Sequence, residues 1–184
     1  MKTVSITLLI SLQLSASAFG GRDEGDDWLP VPDGYVWPAL APDAKDFEPV
    51  SKPVADLPSA AQELFEEATK PATVAVFEVD LNADGKEEMF VEIPSLRGTG
   101  GTHYALLSPD QSGGYRSIGD LQGWGILFRL RKDGWYQIEG TSKSGGGNLT
   151  RYLLTFTRGE YRISRNEGHD YNRGVVTVRE AGKE

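Results

Sequence analysis

The run Val79-Asp80-Leu81-Asn82-Ala83-Asp84-Gly85-Lys86-Glu87-Glu88 sets oxygen-bearing side chains on alternate residues and follows them with a glycine and two carboxylates. Calcium is a hard cation that takes roughly six to eight oxygen ligands, so a loop that binds it must deliver such groups around a tight bend. Asp80, Asn82 and Asp84 stand at loop positions one, three and five, the carbonyl of Lys86 falls at seven, and Glu88 at nine closes the shell. Gly85 can adopt the positive φ that lets the chain turn around an ion. The three carboxylates would largely neutralise a divalent cation and would repel one another without it. Asp, Asn and Gly are also ordinary turn residues, and an Asn-x-Asp-Gly hairpin forms with no ion. What favours a metal here is the coincidence of the full alternation, the glycine and the position-nine carboxylate.

An EF-hand opens in the same way, but it needs a glutamate at position twelve and a helix on each side. Position twelve here is Val91, and the flanks Val74-Ala75-Val76-Phe77-Glu78-Val79 and Met89-Phe90-Val91-Glu92-Ile93 are β-branched and aromatic, which reads as strands. The loop resembles the calcium hairpin of FG-GAP or VCBS-type modules, the integrin-like blades, in which Asp-x-Asn-x-Asp-Gly is closed by an acidic residue at position nine. The resemblance covers about residues 73–95 and implies a structural calcium held by Asp80, Asn82, Asp84, the Lys86 main chain and Glu88. Gly98-Thr99-Gly100-Gly101-Thr102-His103-Tyr104 and the later hairpins look, more loosely, like single-domain exported bacterial proteins that carry such a loop once. The Phe-Gly and Gly-Ala-Pro signatures that name the repeat are absent, and the acidic loop occurs once. A complete seven-bladed propeller does not fit this length.

Other chemistry is sparse. There is no cysteine, and the only histidines are His103 and His169, with no Gly-x-Ser-x-Gly elbow around any serine. Two isolated histidines make a poor zinc site, and each reads as a surface or hydrogen-bonded structural residue. The glycine runs Gly98-Thr99-Gly100-Gly101 and Ser144-Gly145-Gly146-Gly147 lack a nucleotide loop's ending and precede no helix, so bulges or strand crossings explain them better. A glycosidase-type carboxylate pair is invisible to spacing in sequence, and no pair stands out. Of the aromatics, most fill a sheet's core by alternation, while Trp124 and Trp135 are the expected exposed partner contacts.

The chain begins with Met1-Lys2-Thr3, an apolar run from Val4 to Leu14, and Ala16-Ser17-Ala18, the pattern of a secretory signal. Residues 1–18 are therefore expected to be a signal peptide and the protein to be secreted or periplasmic. Cleavage after Ala18 leaves 166 of the 184 residues, enough for one domain plus a tail. Loss of Lys2, the one charge in that segment, takes the formal net charge from −8 to −9. That charge argues against nucleic acid, which needs clustered Lys and Arg, and no apolar run is long enough to insert in a membrane.

Residues 19–57 form an acidic, proline-rich arm in which no helical or strand period survives for long. Trp28, Tyr35 and Trp37 are unusual in a disordered linker and suggest that part of the arm lies against the domain. Ser59-Ala60-Ala61-Gln62 has the spacing of a capping box, and Ala61, Leu64, Phe65 and Ala68 then make one apolar stripe on a packing helix over 59–69. From Thr73 the chain reads as hairpins. Tyr104–Leu107 pairs with Gly114–Ile118, Ile126–Leu130 with Asp133–Ile138, and Tyr152–Phe156 with Gly159–Ile163, with the acidic loop's hairpin before them and a last strand near Gly174–Arg179.

The expected architecture is mainly β, an antiparallel meander of about eight strands, propeller-blade-like or a curved sheet, with one short N-terminal helix in a domain over 58–184. The function this implies is an exported calcium-binding module that works as a non-enzymatic binding protein toward a protein or carbohydrate partner. The alternatives are an exported hydrolase, carbohydrate-active with unidentified carboxylates, and an inhibitor or immunity-type protein.

Overall fold

A computed structural model describes residues 29–66, 70–145 and 148–180. The expected signal peptide, the first part of the arm with Trp28, and the expected helix end at 67–69 with Ala68 lie outside them. Ten strands of four or more residues form two antiparallel sheets, and a two-residue strand adds an edge. In chain order they are β1 (Leu29–Pro30), β2 (Val50–Pro53), β3 (Thr73–Val79), β4 (Glu88–Glu92), β5 (Thr102–Pro109) and β6 (Tyr115–Gly123), then β7 (Gly125–Lys132), β8 (Trp135–Gly145), β9 (Asn148–Thr157), β10 (Glu160–Asp170) and β11 (Val175–Glu180). One sheet runs β2-β3-β4-β5-β6 and the other β7-β8-β9-β10-β11 with β1 outside β11. The meander is thus continuous and is divided once, at Trp124, where a single residue separates β6 from β7.

The expected hairpins are present because their turn residues match the strand twist. Asp133-Gly134 and Arg158-Gly159 each place two successive residues at positive φ, the two-residue connection whose twist suits paired strands. Facing side chains of the two sheets build the main core. Phe77, Val79, Phe90, Tyr104 and Leu106 from the first sheet meet Ile126, Phe128, Tyr136, Ile138, Tyr152, Leu154 and Tyr161 from the second. Two buried tyrosine hydroxyls are satisfied by carbonyls: Tyr161 donates to Tyr136 at 2.8 Å, and Tyr152 donates to Gln122 across the two sheets. Gly140 lies opposite Tyr152 in the ladder, and a Cβ there would overlap the tyrosine ring. Gly140→Ala should therefore cost about 1–3 kcal/mol through overpacking, read as a lowered midpoint in urea unfolding.

The outer face of the first sheet is covered by a 3₁₀ turn at Val54–Asp56 and by α1 (Ser59–Gln62), which pack Val54, Leu57 and Ala61 on Val74, Val76, Met89 and Val91. Covered on both faces, β4 is buried along its whole length. The helix is shorter than its apolar stripe predicts, and beyond Glu63 it tightens into turns in which Leu64 and Phe65 bond three residues back. The expected capping box does not form. Pro58 is the N-cap, Ser59 is already helical, and the Gln62 amide reaches back to the carbonyls of Leu57 and Ala55.

The described part of the arm is built into the domain. β1 pairs with β11, Tyr35 and Trp37 cross the outer face of the second sheet, and Ala39–Ala41 pair with the edge of β7. Phe47 then enters between the sheets among Phe77, Phe90, Tyr104 and Phe128, and β2 joins the edge of β3. Prolines block helices and ladders but leave aromatic side chains free to anchor an extended strap, which is why period alone cannot show this packing.

Candidate metal centre

The acidic loop joins β3 to β4, with Val79 opposite Glu88 at its neck. Its polar residues bond in sequence. Asp80 Oδ1 accepts from the main-chain N–H of Asn82 and Asp84 (both 3.2 Å), and its Oδ2 accepts from Gly85 at 2.9 Å. Asn82 Oδ1 accepts from Asp84 N–H at 2.9 Å, and Asp84 Oδ1 from Lys86 N–H at 2.8 Å. Asn82 Nδ2 also donates to Asp84 Oδ2 at 3.3 Å. Ala83 and Gly85 both carry positive φ, the bend that gathers the alternate side chains. Burial pulls the Asp80 carboxyl upward, but the N–H groups of Gly85, Ala83, Asn82 and Asp84 outweigh it and hold the group below the usual aspartate range.

Glu88 sits beneath this loop and is 1% exposed. Its Oε2 accepts from Leu81 N–H at 2.8 Å and its Oε1 from the Ser108 hydroxyl at 3.0 Å. Desolvation raises its pKa above the ordinary glutamate value, Leu81 and Ser108 oppose the rise, and the Asp84 and Asp80 charges add to it. Among the described residues no Lys, Arg or His forms an ion pair with Glu88, whereas the buried Glu92 and Glu139 each pair with an arginine and Glu167 pairs with Arg151 and His169.

The donor set suits a hard cation. A carboxylate offers about four acceptor positions, so Asp80, Asp84 and Glu88 retain capacity beyond the bonds they make. Among the described residues no three His, Asp or Glu side chains converge closely enough to hold a metal as they stand, so a cation here would require the carboxylates to draw together, with Asn82 Oδ1 and the Lys86 carbonyl as further donors. A cation bound there would have to displace the Asn82–Asp84 side-chain bond.

The raised Glu88 pKa has a measurable sign. In chelator, its contribution to stability is fully present below the ordinary glutamate pKa and is lost as pH rises through the raised value. Urea midpoints across acid pH should show that fall, and Glu88→Gln, which stays neutral, should remove it. Asp80, held low, acts oppositely: its contribution is lost only as pH falls below the ordinary aspartate range.

Beside the loop lies an open groove of about 690 Å³ lined by Asp43, Lys45, Asp80, Glu87, Arg131 and Tyr136 among others. Its charges are mostly paired, Lys45 with Glu87 at 3.0 Å and Arg131 with Asp43 at 3.6 Å. Of the two expected partner contacts, Trp124 is 60% exposed, with its ring N–H on the Thr99 carbonyl at 2.9 Å. Trp135 is half-buried and stacked on Phe156 at 3.7 Å, because the Asp133-Gly134 turn tips it onto β9. His103 pairs with Asp120 at 3.2 Å and His169 with Glu167 at 3.0 Å, on strands of different sheets.

A polar cluster that spacing did not reveal lies on the outer face of the second sheet. Glu139 Oε2 accepts from Arg129 Nε at 2.7 Å and Nη2 at 2.5 Å, and from Trp37 Nε1 at 2.5 Å. The Arg151 guanidinium lies 4.1 Å from the Trp37 ring and bonds Glu167 at 2.5 Å. The one available signal was an aromatic pair in a proline-rich arm; its receptors come from three strands. No protein-family model, curated protein or solved structure matches this chain.

Proposed function

We propose that this chain is an exported calcium-binding β module that acts as a binding protein, with one structural calcium at Asp80, Asn82, Asp84, the Lys86 carbonyl and Glu88. The observation that carries the reading is Glu88, a buried carboxylate that has no cationic partner among the described residues and lies beneath a loop whose three alternate side chains are already turned together. An isolated charge in that position is costly, and buried charges are normally paired or coordinate metals. A divalent cation would neutralise Glu88, Asp80 and Asp84 together and tie β3, β4 and, through Ser108, β5. Its chemistry there would be structural, an ion held between the strands that carry these residues. Titrating calcium into chelator-treated protein by calorimetry tests the reading. One site per chain, lost in Asp80→Ala, is the expected result, and no heat of binding at millimolar calcium would sink it.

A further inference from the structure

We propose that the open groove beside the acidic loop is a binding site for a neutral saccharide. The proposal rests on the calcium reading for the charge of Asp80 and otherwise on the groove itself. Its volume of about 690 Å³ falls within the roughly 300–1,000 Å³ of small-molecule sites. The lining is set before any ligand arrives. Ala44 packs on the main core and its N–H bonds the Ala41 carbonyl, which fixes the segment that carries Asp43 and Lys45. The Tyr136 N–H donates to the Leu81 carbonyl at 2.9 Å, so the part of the lining on β8 is tied to the loop that supplies Asp80 and Gly85.

The lining selects by charge. Lys45 pairs with Glu87 at 3.0 Å and Arg131 with Asp43 at 3.6 Å, and a calcium ion would neutralise Asp80. Every charge lining the groove then has an opposite partner. An anionic ligand would meet Asp43, Asp80 and Glu87, a cationic one would meet Lys45 and Arg131, and either would have to break one pair to gain another. An apolar ligand would strip water from five charged groups, which is costly. A hydroxyl both donates and accepts, so a polyol can bond both members of each pair and leave the pairs intact. Two phenols extend this set. Burial first, then the Glu78 charge at Tyr115 and the Asp43 carboxylate at Tyr136, hold both above the ordinary tyrosine range, so both stay protonated donors. The Arg131 guanidinium caps the Tyr136 ring at 3.9 Å, which leaves the half-buried Tyr115 ring as the aromatic surface for the C–H face of a pyranose.

Calorimetric titration of the full chain in calcium tests this, with maltohexaose, cellohexaose, xylohexaose and N-acetylchitohexaose as neutral probes and hexagalacturonate as the anionic control. At least one neutral probe should bind, and Asp43→Ala with Lys45→Ala should weaken it at least tenfold. Both side chains are 62% exposed and neither is a proposed calcium ligand, so this variant should fold and keep the calcium heat. Trp124→Ala, outside the groove, should bind like the parent. Amide NMR shifts on adding the bound sugar need no variant: changes centred on residues 43–45, 80–87 and Tyr115 support the site, and changes centred elsewhere overturn it. The proposal also falls if no neutral probe binds up to about 10 mM, or if hexagalacturonate binds more tightly than all of them. A chain that binds calcium but no saccharide overturns this inference and leaves the calcium reading standing. One that binds saccharide in the groove with no calcium heat overturns the calcium reading and leaves the groove.

Discussion

Glu139→Ala should lower the free energy of unfolding by about 3–5 kcal/mol, because it leaves the Arg129 guanidinium buried with its partner removed. Arg129 is 9% exposed and Glu139 3%, and the carboxylate accepts two bonds from Arg129 and one from Trp37. Little water can replace it, since the strap lies over the site. Substituting both residues, Arg129→Met with Glu139→Leu, should restore most of the loss, since no charge then remains to be desolvated. A double-mutant cycle in urea, with Trp37→Ala as a third arm, separates the ion pair from the indole bond. If Glu139→Ala unfolded like the parent, the strap would not seal this face.

Calcium should raise stability by about 2.7 kcal/mol at a hundredfold excess over its dissociation constant, if it binds only the folded chain. Asp84→Ala should lose that response while unfolding almost like the parent in chelator, because Asp84 is exposed and its bonds stay within the loop. Glu88→Gln should also lose most of the calcium response, yet it should be no less stable than the parent in chelator above the raised Glu88 pKa, where the folded parent carries a buried charge with no cationic partner among the described residues. The two variants therefore separate an exposed ligand from a buried one. Thermal scans with calcium, magnesium and chelator measure all of this, and no calcium response in the parent would make the loop an acidic turn.

Much of the fold was legible in the chain. Alternation and Gly-containing turns mark the hairpins from Thr73 onward because strand period and positive-φ turns are local properties, encoded within about ten residues. The loop at Asp80 to Glu88 was legible for the same reason, as its oxygen-bearing residues alternate within one hairpin. The boundary between the two sheets was not. It falls at Trp124, flanked by Gly123 and Gly125, where a Cβ on Gly123 would press on Thr141, a contact between strands eighteen residues apart. The helix was over-read, because Ala61, Leu64 and Phe65 keep helical spacing even though the segment tightens after Glu63 to lay its apolar side on the first sheet.

By itself the sequence determined the β class, the order of the hairpins, and an acidic loop whose residue types suit calcium. Each of these depends on neighbours in the chain. Only the tertiary structure decided that Glu88 is buried with no cationic partner among the described residues, that Trp135 stacks inward on Phe156 while Trp124 stays exposed, and that the arm closes over Arg129, Glu139 and Arg151. Burial and charge pairing are set by residues brought together from distant strands, and no spacing along one strand records them.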